Sequence, residues 1–159
     1  MAKLSAGLLM YRLRAGHLEV LLAHPGGPFF TNKDLGAWTI PKGLVDEDED
    51  QLAAARREFE EETGTKPEGD FVPLGEVLQK GGKTVVAWAF EGDLDPTAIT
   101  SNTFKKEWPP RSGRWQTFPE IDRAAFFSIA EAKTKINPAQ AQFLGRLETL
   151  LQPPTRASE

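Results

Sequence analysis

The stretch Gly43 to Thr65, GLVDEDEDQLAAARREFEEETGT, constrains this chain more than any other. It predicts a helix from about Asp50 to Thr63, with Asp48 or Asp50 as its N-cap and Gly64 in the left-handed position after its last turn. That helix ends in Glu58, Glu60, Glu61 and Glu62. A helix C-terminus carries partial negative charge and prefers cations. Glutamates three and four residues apart also repel one another. A bound divalent cation would offset both penalties.

Angular placement divides the four carboxylates. At about 100° per residue, Glu58, Glu61 and Glu62 fall within a wedge of roughly 100°, with Ala54 inside the same wedge. Glu60 points nearly the opposite way, toward solvent. Leu52, Ala55 and Phe59 form a neighbouring apolar stripe suited to packing on a sheet. Hard oxygen ligands gathered on one face select Mg²⁺, with Mn²⁺ as a substitute. Arg57, four residues before Glu61, can orient a carboxylate through a bidentate pair. Gly43 permits close backbone approach and offers a carbonyl to the metal. Lys42 suits a phosphate.

Glutamate runs on helices are more often plain solvated faces. The spacing of the whole stretch outweighs that reading. Gly43, five residues, Glu49, seven residues, then Arg57-Glu58-Phe59-Glu60-Glu61-Glu62-Thr63-Gly64 resembles the Nudix box at every fixed position. The one departure is Thr65, at a final packing position that is usually bulky and apolar. The resemblance implies an α+β fold, the Nudix α/β/α sandwich around a mixed sheet. It also implies a metal-dependent hydrolase that cleaves the diphosphate of a nucleoside diphosphate linked to another group, X. Carried over by position, Glu58, Glu61 and Glu62 bind the metals with the Gly43 carbonyl. Glu58 is a candidate general base, oriented by Arg57, and Glu49 has a supporting role. A further carboxylate from outside the box is expected at Glu120, with Glu107 and Asp122 as rivals. The alternative is a catalytically silent nucleotide sensor on the same scaffold, although such modules typically lose box carboxylates and this chain keeps them.

Substrate choice lies outside the box. Trp38-Thr39-Ile40-Pro41-Lys42-Gly43 resembles the approach to the box in dinucleoside polyphosphate hydrolases, which implies substrate contacts from Trp38 and Lys42. The tyrosine that often follows the box in that branch is missing, since the only tyrosine is Tyr11. A proline that marks many ADP-ribose hydrolases is missing too. Phe104 to Trp115, FKKEWPPRSGRW, mixes aromatics with cations. Trp108 and Arg111 there can stack a base and hold phosphates. Trp115 is read instead as pinning the loop, Trp88 as core, and His24 as part of a turn.

Composition supports an ordinary soluble domain. The chain has 159 residues, 40% hydrophobic and 26% charged. Its net charge of −4 argues against a general nucleic-acid or membrane-surface binder. With no cysteine, disulfides and thiolate metal sites are excluded. The apolar run near the N-terminus is too short to span a membrane and lacks a cleavage signal. A cytoplasmic protein is expected, monomeric or homodimeric, with a small nucleotide-type diphosphate as its partner and no stable nucleic-acid partner.

One domain over residues 1–152 is expected, with 153–159 a flexible tail. Leu4 to Leu13 and His17 to Ala23 predict a hairpin, and Ala37 to Ile40 a short strand. Phe71 to Gln79 and Lys83 to Phe90 predict a second hairpin around Gly81-Gly82. Glu91 to Arg114 reads as a long loop, and Phe118 to Phe127 as a returning strand. Ser128 to Glu131 is a capping box that opens a short helix. Asn137-Pro138 caps a last helix whose apolar face is Phe143, Leu144, Leu147, Leu150 and Leu151.

Overall fold

The computed structural model describes residues 3–152. The expected tail, 153–159, lies outside them. Strands β1 (Lys3–Arg14) and β2 (His17–Pro25) form the first hairpin. Short β3 (Lys42–Leu44) pairs antiparallel with the start of β1. Helix α1 (Gln51–Thr63) follows, then hairpin β4 (Val72–Gln79) and β5 (Lys83–Glu91). A small separate hairpin comes next, β6 (Thr103–Glu107) with β7 (Trp115–Pro119). The chain closes with β8 (Ile121–Ser128), α2 (Ile129–Lys135) and α3 (Ala141–Leu151).

The main sheet runs in the order β4-β5-β1-β2-β8, with β3 also on β1. Strands β1 and β5 are parallel and their neighbours antiparallel, so the sheet is mixed as expected. Both faces are covered, which explains the near-continuous apolar runs in β1 and β2. On one face Leu8 and Met10 of β1 pack with Ala54, Ala55 and Phe59 of α1. On the other, Leu9 packs in a cluster with Ile129 and Ala132 of α2 and Phe143, Leu144 and Leu147 of α3. Alternation along β1 thus feeds two cores, giving an α/β/α sandwich.

Local rules account for the helix ends. The Asp50 side chain accepts from the Ala53 N–H at 2.9 Å, and Gly64 closes α1 at φ 79°. Ser128 caps α2 by accepting from Glu131 N–H. Asn137 caps a 3₁₀ turn, Pro138–Gln140, that runs into α3.

Several elements depart from the sequence reading. Ala37 to Ile40 is not a strand: Trp38 and Thr39 make single bridges only. The Ile40 N–H donates to the Gln140 side chain, and the pairing strand starts beyond Pro41. The long loop after β5 contains β6, whose sequence TFKKE lacks the apolar alternation of a core strand because it lies off the main sheet. The returning strand breaks at Glu120, where the chain leaves β7 and enters β8. Leu150 and Leu151 are 42% and 37% exposed, so the apolar face of α3 ends at Leu147. Among the described residues, no helix is long and apolar enough to cross a membrane.

Candidate active site

Phe59 fixes the roll of α1. It is fully buried and meets Phe90 edge-on at 5.3 Å, which turns the next face of the helix toward β3. Ala54 is buried in the same core rather than standing open above the carboxylates. Glu62 is only 7% exposed, and its Oε1 accepts from the Lys42 backbone N–H at 3.3 Å. Glu58 lies directly over Gly43. A Cβ added at Gly43 would stand 2.0 Å from Glu58 Cδ, so any larger residue there displaces the Glu58 carboxylate.

Arg57 is the hub of the outer layer. Its Nε and Nη2 each donate to Glu49 at 2.9 Å, a fork-to-fork pair. Nη1 donates to Glu58 at 2.9 Å and Glu61 at 3.3 Å, and Nη2 also reaches the Leu44 carbonyl at 3.1 Å. Hydrogen bonding to Arg57 pulls the Glu49 pKa down to about 2. The supporting place expected for Glu49 is therefore an anchor for the arginine that holds Glu58.

Glu58 and Glu62 line a cleft of ≈ 420 Å³ together with Glu120, Gly43, Asn102, Lys3, Lys42 and Lys83. Burial, then the charge of Glu58, pushes Glu62 up to about 8. Burial and the neighbouring Glu61 raise Glu58. Burial raises Glu120, against the opposing pull of Lys42. Burial also lowers the Lys42 ammonium, opposed by Glu62. The oxygens of these crowded, poorly solvated carboxyls and the close approach at Gly43 fit a hard divalent cation. Among the described residues no three acidic or histidine side chains already converge on one point. Glu61 accounts for part of this, because it is 39% exposed and turned to Arg57 rather than into the cleft.

Glu120 reaches the cleft through backbone bonds. Its N–H donates to Asn102 C=O at 2.8 Å and its C=O accepts from Gly26 N–H at 2.9 Å. Asn102 N–H donates in turn to Glu61 C=O at 2.8 Å, tying the loop to the end of α1. The two rival acids are engaged elsewhere. Glu107 accepts from the Arg111 and Gly113 N–H groups at 3.2 and 3.0 Å, and Asp122 bonds His24 Nδ1 at 2.8 Å.

Trp38 requires correction. It is 5% exposed, edge-on to Phe127 at 5.0 Å and to His24 at 5.2 Å, with its indole N–H donating to Asp34. It is a core residue beside a separate depression that also takes in Arg123, and the acid there, Asp34, is paired with Lys135. Trp108 and Arg111 lie at the β6–β7 turn and do not line the cleft. Lys3 and Lys83 were missed by sequence reasoning. They meet because β1 and β5 pair in parallel with Lys3 opposite Lys83, and no local signal marks a pairing across 80 residues. His24 is buried between acceptors, the Lys33 carbonyl at 2.6 Å and Asp122, and is structural as its turn position suggests.

A family model described as the NUDIX domain matches residues 1–147. An RNA pyrophosphohydrolase of Erythrobacter litoralis is 48% identical over 61 residues, 35% of each chain. A bis(5'-nucleosyl)-tetraphosphatase (asymmetrical) of Caenorhabditis elegans is 42% identical over 64 residues, 40% of this chain and 42% of the relative. These alignments span less than half of either relative's length. The crystal structure of a C. elegans Ap4A hydrolase binary complex superposes with a TM-score of 0.67 at 24% identity, covering 94% of this chain and 98% of that one, a likeness of fold.

Proposed function

The chain belongs to the Nudix family, and on that premise we propose that it is a Mg²⁺-dependent hydrolase of a nucleoside diphosphate linked to X. Mn²⁺ is the expected substitute. The observation that carries this reading is the cleft itself, in which Glu58, Glu62 and Glu120 face Lys3, Lys42 and Lys83. Acids suited to a cation and lysines suited to phosphate oxygens share one space. Dinucleoside polyphosphates and nucleoside triphosphates are the leading substrates, since both offer several phosphates to three lysines. The approach through Pro41-Lys42-Gly43 and the tetraphosphatase relative support the dinucleoside polyphosphates.

Glu58 and Glu62, with the Gly43 carbonyl, would hold the metal, joined by Glu61 once it leaves Arg57. The metal, when bound, neutralises phosphate charge and favours in-line attack by water. Glu58 has the position and raised proton affinity of a general base, and the Arg57 contact holds its carboxylate. Glu120 would add a carboxylate from the far wall. Lys42 would orient a phosphate, its N–H meanwhile fixing Glu62. A cytoplasmic location, and a monomer or homodimer, belong to the same proposal.

The test is a screen of dinucleoside polyphosphates, nucleoside triphosphates, nucleotide sugars and ADP-ribose, with and without Mg²⁺, products being identified. Metal-dependent hydrolysis that is lost in Glu62→Gln supports the reading. No hydrolysis by the wild-type protein across the panel would refute it.

A further inference from the structure

The hairpin β6–β7 leaves and re-enters the fold at the cleft, because Asn102 precedes it, Glu120 follows it, and both line that space. A two-stranded hairpin is marginal by itself, and this one is anchored by one face. Phe104 and Phe118 stand opposite each other, rings 5.9 Å apart, and Phe104 lies against Gly27. The opposite face is not anchored in this way. Glu107 pairs with Trp115 and Lys105 with Thr117, so Trp115 and Lys105 share that face as diagonal neighbours. Trp115 is 67% exposed, so it does not pin the hairpin to the body.

Charge on the hairpin is segregated. Residues 103–119 carry Lys105, Lys106, Arg111 and Arg114 against one acid, Glu107, in a chain whose net charge is −4. Both Glu107 oxygens are taken by backbone N–H groups at the turn. Among the described residues, none of the four cations stands within ion-pair distance of a carboxylate, so their charge is free to meet an anionic ligand. Next to this hairpin, the loop after β2 exposes a second ring, Phe29, at 62%. Five residues of strand extend this surface about 17 Å from the cleft.

We propose that this hairpin is an arm that holds a single-stranded oligonucleotide whose 5′ polyphosphate occupies the cleft. The idea deepens the proposed function and rests on it for the chemistry. The cleft lysines, Lys3, Lys42 and Lys83, are suited to the phosphates of the group to be cleaved. Beyond them, Lys105 on the face of the exposed Trp115 indole and Arg111 and Arg114 at the turn match the repeating pattern of a nucleic-acid strand, with phosphates for Lys and Arg and a base for Trp115. A whole-chain charge of −4 disfavours indiscriminate binding but leaves this local recognition intact.

Two measurements test the arm. The first compares kcat/KM for a nucleoside triphosphate and for 5′-triphosphorylated oligoribonucleotides of increasing length, in wild type, in Trp115→Ala and in K105Q/R111Q/R114Q. The expected result is a wild-type preference for the longer substrate by about tenfold or more, which collapses toward unity in both variants. The second follows binding of a fluorescein-labelled 5′-monophosphorylated eight-nucleotide RNA without metal, by anisotropy. With three to four phosphates neutralised, affinity should fall by roughly twentyfold to fiftyfold between 50 and 200 mM salt. Equal kcat/KM at all lengths together with no salt-dependent binding would overturn the arm. Salt-sensitive binding that is lost in the variants, without hydrolysis of any substrate, would keep the arm and overturn the hydrolase reading. Circular dichroism confirms that the variants are folded.

Discussion

Replacing Glu62 by Gln should stabilise the metal-free protein, and increasingly so as pH rises. Glu62 is 7% exposed and its proton affinity is pushed up to about 8, from 4.5 when unfolded. Between those values the folded state keeps its proton while the unfolded state gives it up. Stability linked to this group is therefore full below about pH 4.5 and drains away as pH climbs toward 8. The 3.5-unit gap corresponds to at most about 5 kcal/mol, and at pH 7 to roughly 3 kcal/mol. Glu58 shares the same field, so about half of that figure is expected from Glu62 alone. Gln keeps the shape and the oxygen that accepts from the Lys42 N–H, and it has no charge to lose. Thermal melts from pH 4.5 to 9 should show wild type falling behind Glu62→Gln by about 3–6 °C at neutral pH, at roughly 2–4 °C per kcal/mol for a chain of this size. Mg²⁺ at one hundred times its Kd should restore about 2.7 kcal/mol to wild type and much less to the variant. Parallel pH profiles for the two proteins, or an equal Mg²⁺ response, would refute the placement of a strained carboxylate at the metal face.

The other predictions concern the shell around that carboxylate. Gly43→Ala drives a methyl to 2.0 Å from Glu58 Cδ and displaces that carboxylate; activity should fall about a hundredfold with little change in stability, read by kinetics and urea denaturation, and wild-type activity would contradict the contact. Arg57→Lys removes the fork on Glu49 and the reach to Leu44 C=O; kcat should drop about 10–100-fold at little changed KM, whereas an unchanged kcat would show that Glu58 orients itself. His24→Ala leaves the Lys33 carbonyl and Asp122 without their shared hydrogen-bond partner; unfolding free energy should fall by about 2–4 kcal/mol, and a change under roughly 0.5 kcal/mol would deny the buried bridge.

Features built from residues close along the chain are legible in the sequence. Helix α1, its Asp50 and Gly64 caps, the division of Glu60 from Glu58 and Glu62, and the capping box at Ser128 all follow from local spacing. Trp38 misled because a tryptophan before Pro-Lys-Gly reads alike whether it faces a ligand or packs on Phe127. The β6–β7 hairpin hid because its strands carry no core periodicity, the signal by which strands are found. Glu61 shared an angular wedge with Glu58 and Glu62, yet its side chain turned to Arg57, since angular position sets a direction and not a partner.

The amino-acid sequence alone determined the acidic helix, its run of carboxylates and the family, because each depends on covalent spacing along one stretch. Tertiary structure alone decided what faces that helix. Parallel pairing of β1 with β5 set Lys3 beside Lys83. Burial, not composition, raised Glu62 to about 8. The backbone bonds from Asn102 and Gly26 brought Glu120, 58 residues beyond Glu62, to the opposite wall of the cleft. Such contacts arise from sheet order and packing, which the chain encodes only as a whole.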